Sequence, residues 1–336
     1  EIVNSISVEG AKHFNLKNIT AKFPLNAITV VTGVSGSGKT TLVKDILHKA
    51  LKRKLENIGD VAGEHSQLSG DVDSISHIEL IDQNPLGRSS RSNPVTYVKA
   101  YDAIRKLFAS HQLSKIRGFA AKHFSFNTEG GRCETCKGEG EILVEMQFLA
   151  DVRLVCEACN GQRFKPNVID VKYKEKSIYD VLNMSIEEGL AFFEGHRDIV
   201  RRMQPLVDVG LGYVKLGQSS STLSGGEAQR VKLASYLTKG GRAKPILFIF
   251  DEPSTGLHFN DINKLLSAFN ALVEKGHTIV IVEHNIDIIK SADWVIDLGP
   301  EGGDKGGFLL YQGTPEGLAK CESSYTAKFL SEKMEI

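Results

Sequence analysis

From Ala27 to Thr32 the chain runs through a short β-branched stretch that closes on glycines, and from Thr40 to Lys54 its apolar residues Leu42, Ile46, Leu47 and Leu51 fall at helical spacing. This pattern predicts a strand, a glycine-rich loop and a helix. Ile246–Phe250 and Thr278–Val282 are continuous apolar runs of the kind that parallel sheets bury on both faces, and the stretch 262–274 between them carries helical spacing. Val295–Leu298 and His77–Ile81 read as further strands. The long middle of the chain reads as helical over Ser177–Phe193 and Ile199–Val209. The outcome is an α/β fold of βαβ units, doubly wound, whose two parts are separated by a different kind of sequence.

At 336 residues the chain exceeds one ordinary domain, so two domains or one domain with a large insertion is expected. No apolar run approaches the roughly 18 residues of a membrane span. The chain starts at Glu1 and shows no basic segment leading into an apolar one, so no secretory signal is expected. The expectation is a cytoplasmic protein, and one that is a fragment of something longer. Lys plus Arg and Asp plus Glu both number 41, so net charge gives no argument for a nucleic-acid partner. Distribution says more: Leu86–Arg132 holds nine basic residues (Arg88, Arg91, Lys99, Arg105, Lys106, Lys115, Arg117, Lys122 and Arg132) against two acids, Asp102 and Glu129. Charge alone leaves open whether this is a solvated face or a binding surface.

Gly33-Val34-Ser35-Gly36-Ser37-Gly38-Lys39-Thr40 has the P-loop pattern in the context that pattern requires, after a strand and before a helix. Its backbone N–H groups can cradle phosphates at a helix N-terminus. Lys39 would reach the β- and γ-phosphates and Thr40 would hold Mg²⁺. Phe248-Ile249-Phe250 delivers Asp251 and Glu252 at a strand end. There Asp251 is placed for Mg²⁺, and Glu252 beside it for orienting and deprotonating the attacking water. His284, at the end of the run Ile279–Val282, reaches toward the same nucleotide from another loop.

Cys133-x-x-Cys136 and Cys156-x-x-Cys159, nineteen residues apart, have the spacing of a four-thiolate zinc site, with glycines at 131, 138, 140 and 161 for the turns. A redox pair or a disulfide framework is the competing reading. Cys321 stands alone as an ordinary small core residue.

Leu223-Ser224-Gly225-Gly226-Glu227-Ala228-Gln229-Arg230 resembles the signature of the ABC-type ATPases, which opens a helix and caps the γ-phosphate of a nucleotide held by an opposing ATPase unit. The resemblance extends to Gln83 as the Q-loop residue, Ser254–His258 as the D-loop and His284 as the switch histidine, in the family's order. It implies that Lys39, Gln83, Glu252 and His284 are catalytic, and that Gly33, Ser35, Gly36, Ser37, Gly38, Lys39, Thr40, Thr41, Asp251, Ser224, Gly225 and Gly226 hold ATP and its metal.

Within that superfamily the chain resembles the C-terminal half of the UvrA family. The likeness lies in Asn15-Leu16-Lys17-Asn18-Ile19, Gly87-Arg88 with Arg91-Ser92-Asn93-Pro94, Phe124-Ser125-Phe126-Asn127 and Gly130-Gly131-Arg132-Cys133-Glu134. It continues in Val209-Gly210-Leu211-Gly212-Tyr213, Glu283-His284-Asn285 and Asp297-Leu298-Gly299-Pro300, and in the cysteine module set between P-loop and signature. Ser254 and Thr40 are mild departures that keep a hydroxyl. The resemblance implies an ABC-type P-loop ATPase core over 1–85 and 222–336, interrupted at 86–221 by a helical signature region with a Cys₄ zinc module at about 130–165. It implies the cofactors ATP, Mg²⁺ and Zn²⁺. The partners would be distorted or damaged duplex DNA, UvrB and a second UvrA-type ATPase unit, with no membrane. The function would be ATP-dependent damage recognition in nucleotide excision repair, without nuclease activity of its own. Arg88, Arg91, Arg105, Lys115, Arg117 and Lys122 become candidate phosphate contacts, which position DNA without reading its sequence. Arg88 or Arg91 could instead tie the Q-loop to the signature region. A UvrA-like ATPase that gives self-resistance to DNA-binding drugs is the alternative, and a transporter ATPase subunit is a more distant one.

Overall fold

The computed structural model describes residues 4–86, 92–144, 146, 152–238 and 244–334, the side chain of Asn260 aside. The chain divides into two compact units, one of residues 1–83 with 239–336, the other of residues 84–238.

The first unit is built on a six-stranded sheet in the order Phe308–Gly313, Trp294–Gly299, Ile28–Gly33, Thr278–Val282, Ile246–Asp251 and His77–Ile81. Only the pairing of Phe308–Gly313 with Trp294–Gly299 is antiparallel. The apolar runs are central because a parallel strand is covered on both faces: Thr278–Val282 is buried at every position, and Phe250 packs on Phe269 at 4.7 Å. Each such side chain contributes about 1.5–3 kcal/mol by leaving water. A second sheet, Ile19–Pro24, Ser5–Ala11 and Gln67–Gly70, is antiparallel, and its inward residues Ile6, Val8, Ala21 and Phe23 join the same core. The sequence analysis did not mark this sheet, although Ser5–Ala11 alternates at Ile6 and Val8. The helix after the glycine-rich loop runs through Thr41–His48, with wide π-type turns, into Lys49–Glu56. It buries the expected Leu42, Ile46, Leu47 and Leu51.

The consequence for chemistry follows from strand direction. Parallel strands all end on one edge, so the residues after Ile28–Gly33, Thr278–Val282, Ile246–Asp251 and His77–Ile81 leave the sheet together.

The second unit is mainly helical, with Ala100–Ser110, Arg197–Asp208 and Gly225–Leu237 as its longer helices. Two sequence expectations need correcting here. Ser177–Phe193 is not one helix but two, Ile178–Asn183 and Ile186–Phe192. Ser177 and Ser185 each begin a capping box, with Asp180 and Glu188 reaching back to the cap amides, so the polar signals for two starts outweighed the apolar continuity. The expected return to the core at 222 also shifts: the units part at 238/239, and the signature helix Gly225–Leu237 belongs to the inserted unit. Its residues Ala228, Val231, Leu233 and Ala234 are buried.

Candidate active site and metal centre

The glycine-rich loop turns through backbone that only glycine adopts readily. Gly33 has φ +134° and Gly38 has φ +105°, and a Cβ on Gly33 would sit 2.0 Å from the Leu298 carbonyl oxygen. Asn15 braces the loop from outside, donating from Nδ2 to the carbonyls of Gly36 at 2.8 Å and Gly303 at 3.1 Å. The Gly303 amide also donates to Gly36 at 3.0 Å. Lys39 folds back on the loop, its Nζ donating to the carbonyls of Gly33 at 2.8 Å and Val34 at 2.9 Å. Burial lowers the ammonium pKa of Lys39, opposed by the carboxylates of Glu252, Asp297 and Asp251. Ser37 Oγ is buried and has no partner among the described residues, while Ser35, Gly36 and Thr40 are exposed at the loop surface.

The other strand ends bring their groups to the same edge. Gln83 donates from Nε2 to the Glu252 carbonyl at 3.2 Å. Glu252 itself has φ +45°, and its carboxylate lies 4.0 Å from His284 Nδ1. Lys39, Gln83, Asp251, Glu252 and His284 thus gather on one unit. Ser224, Gly225 and Gly226 lie on the other. Ser224 caps the signature helix, accepting from the Glu227 amide at 3.2 Å while its own amide donates to Glu227 Oε2 at 2.7 Å. The Tyr213 hydroxyl donates to the other oxygen of that carboxylate.

Two residues of this site escaped sequence reasoning. Glu283, fully buried, accepts from the Ser254 amide at 3.1 Å and from the Ser254 hydroxyl, and from the amides of His284 at 2.6 Å and Asn285 at 2.9 Å. It ties the D-loop to the histidine loop. Its sequence signals were an acid closing a buried strand and its place in the Glu283-His284-Asn285 likeness, neither of which gave it a role. Lys44, on the helix that follows the P-loop, pairs with Asp251 Oδ2 at 2.5 Å. The available signal was its i+4 spacing from Thr40.

The four cysteines converge as their spacing suggests. All are buried thiols, with ligand atoms within 4.8 Å of one another, Cys133 to Cys156 at 3.9 Å and Cys136 to Cys159 at 3.7 Å. A tetrahedral zinc with bonds of about 2.3 Å would separate its sulfurs by about 3.8 Å, so the donor set and its size fit zinc. Burial raises the Cys133 thiol pKa, but the amides of Cys136 and Thr135 more than offset this and bring it down to about 7. Burial pushes Cys159 up to about 12. Gly138, at φ +86°, lets its turn approach the Phe126 carbonyl, where a Cβ would come within 2.0 Å. Arg163, also missed from sequence, secures the module by donating from Nε to Gly138 O at 2.9 Å and from Nη1 to Gly217 O at 3.1 Å, while its guanidinium lies 4.4 Å from the Phe126 ring.

The basic stretch separates into kinds. Arg88 and Arg91 lie outside the described residues. Arg105 pairs with Asp102, and Arg117 with Asp170 at 3.0 Å and the Asn167 carbonyl at 2.6 Å, so both have structural partners. Lys115 and Lys122 are exposed and form no ion pair among the described residues. No helix of the described residues is long and apolar enough to cross a membrane.

UvrABC system protein A of Clostridium perfringens is 53% identical over 98% of this chain, and that of Streptomyces avermitilis is 52% identical over 98%. This chain is a relative of UvrA. It spans about a third of the length of the curated relatives it matches, 35% and 32% for these two. The crystal structure of UvrA2 from Deinococcus radiodurans superposes with a TM-score of 0.89 at 41% identity, over 99% of this chain and 40% of that one. No protein-family model matches the chain. The mixed α/β architecture expected from sequence is therefore that of the UvrA proteins.

Proposed function

We propose that this chain is an ATP-binding and hydrolysing unit of a UvrA-type protein that recognises damaged DNA in nucleotide excision repair. The observation that carries the proposal is the arrival of Lys39, Gln83, Asp251, Glu252 and His284 at one edge of a parallel sheet, in a chain half identical to UvrA along its length.

In this reading the amides from Gly33 to Thr41 hold the phosphates, and Lys39 leaves the loop carbonyls for the β- and γ-phosphates. Thr40 and Asp251 hold Mg²⁺, which neutralises charge developing on the phosphate oxygens. Glu252 orients the attacking water and takes its proton, held in place by Gln83 at its carbonyl and by His284 near its carboxylate. Ser224 and the free amides of the first turn of the signature helix act on nucleotide held by a second ATPase unit. Cys133, Cys136, Cys156 and Cys159 hold zinc. Of the six candidate phosphate contacts, Lys115 and Lys122 are exposed and form no ion pair among the described residues, and they are the ones assigned to phosphates of distorted duplex DNA, which would pass to UvrB in the cytoplasm.

The test uses the intact protein. Glu252→Gln should keep ATP binding while slowing turnover at least about a hundredfold, the scale lost with a general base, and Lys39→Ala should weaken nucleotide binding. Turnover unchanged in Glu252→Gln, or binding of intact and damaged duplex absent from the parent, would overturn the corresponding half of the reading.

A further inference from the structure

Thr40 and Lys44 are four residues apart at the start of the helix that follows the P-loop, so they occupy one helix face. The end of the strand Ile246–Asp251 meets that face. Lys44 Nζ lies 2.5 Å from Asp251 Oδ2, and both side chains are about three-quarters buried, at 27% exposed each. Asp251 and Thr40 are also the residues the proposed function assigns to Mg²⁺.

We infer that Lys44 is a built-in competitor for the divalent cation: its ammonium holds Asp251 while the nucleotide site is empty, and Mg²⁺ has to displace it. This inference rests on the nucleotide-site reading. The physical basis is charge exchange. A carboxylate already compensated by an ammonium gains less from a divalent ion than an unpaired one, because the new attraction is reduced by the ion pair given up and by repulsion from the displaced lysine. Lys44 would thereby weaken metal binding before ATP brings its own phosphate ligands, and would favour metal entry together with nucleotide. Lys39 cannot serve in this way, since its Nζ is engaged by the carbonyls of Gly33 and Val34.

The experiment uses the intact protein as parent, Lys44→Asn, Lys44→Arg and Asp251→Asn. Each is loaded with a non-hydrolysable ATP analogue, whose binding is first measured without metal. Free Mn²⁺ is then followed by electron paramagnetic resonance during a titration. Lys44→Asn should bind Mn²⁺ about two- to fivefold more tightly than the parent, the worth of a partly exposed ion pair, and Lys44→Arg should match the parent. Replacing Lys44 by Asn in the Asp251→Asn background should then change nothing. Without nucleotide, Mg²⁺ should raise the melting temperature of Lys44→Asn more than that of the parent. Parent-like or weaker Mn²⁺ binding by Lys44→Asn, with analogue binding intact, would overturn the inference alone. Failure of the parent to bind the analogue would overturn the nucleotide-site reading and this inference with it.

Discussion

Glu283 offers a test of how the D-loop and the histidine loop are held. Three backbone amides and one hydroxyl converge on its two oxygens: Ser254 N and Oγ on Oε1, and His284 N and Asn285 N on Oε2. A carboxylate can accept from all four, and no other side chain of that shape can. In Glu283→Gln one oxygen becomes an NH₂ donor. The amide should turn that donor toward Ser254, whose hydroxyl can rotate to accept it, because neither His284 N nor Asn285 N can reverse its role. The part-buried Ser254 amide then loses its side-chain acceptor, at up to about 1–3 kcal/mol. Hydrogen exchange read residue by residue converts this to about five- to hundredfold faster exchange at Ser254, with His284 and Asn285 little changed. Glu283→Ala removes the acceptor from all three amides and should cost at least about 3 kcal/mol, releasing all three together. Unchanged protection of these amides in both variants would refute the reasoning, and so would loss at His284 and Asn285 with Ser254 intact in the Gln variant.

Metal analysis of the purified chain should find about one zinc held by the four cysteines, and its removal should unfold the module, since structural zinc contributes on the order of 10 kcal/mol; a metal-free or disulfide-bonded module would reject the site. Asp297, buried beside the P-loop strand, has its carboxyl pKa raised by desolvation, partly offset by Ser324, Thr326 and Lys39. The folded chain therefore binds this proton more tightly than the unfolded one. Parent stability should fall relative to Asp297→Asn as pH rises from the ordinary aspartate range through the raised folded value, then hold a constant difference, and parallel unfolding curves at all pH values would contradict it. For DNA, Lys115→Ala and Lys122→Ala should each flatten the slope of log K against log salt by about 0.9, affecting intact and lesion-bearing duplex alike. Arg117→Ala should chiefly release Asp170 and the Asn167 carbonyl. Salt titrations leaving both lysine variants with the parent slope would move the DNA surface elsewhere.

Some features were set by the sequence alone because they depend on neighbours along the chain. A β-branched run, glycines at positive φ and a following helix are local, so the P-loop was readable from residues 27–54, and each CxxC pair fixes its own turn by spacing. Continuous apolar runs marked Ile246–Asp251 and Thr278–Val282 because a strand buried on both faces must be apolar throughout. Serine caps were also local, yet the apolar periodicity of Ser177–Phe193 hid them, and the helix break became visible only with the capping geometry. Tertiary structure alone decided what depends on distant segments meeting. No local pattern sets Ser254 against Glu283 or Asp251 within 2.5 Å of Lys44; the fold does both. It also divided the basic stretch, since pairing with Asp170 across 53 residues separates Arg117 from Lys115, and no count of charges along the chain contains that distance.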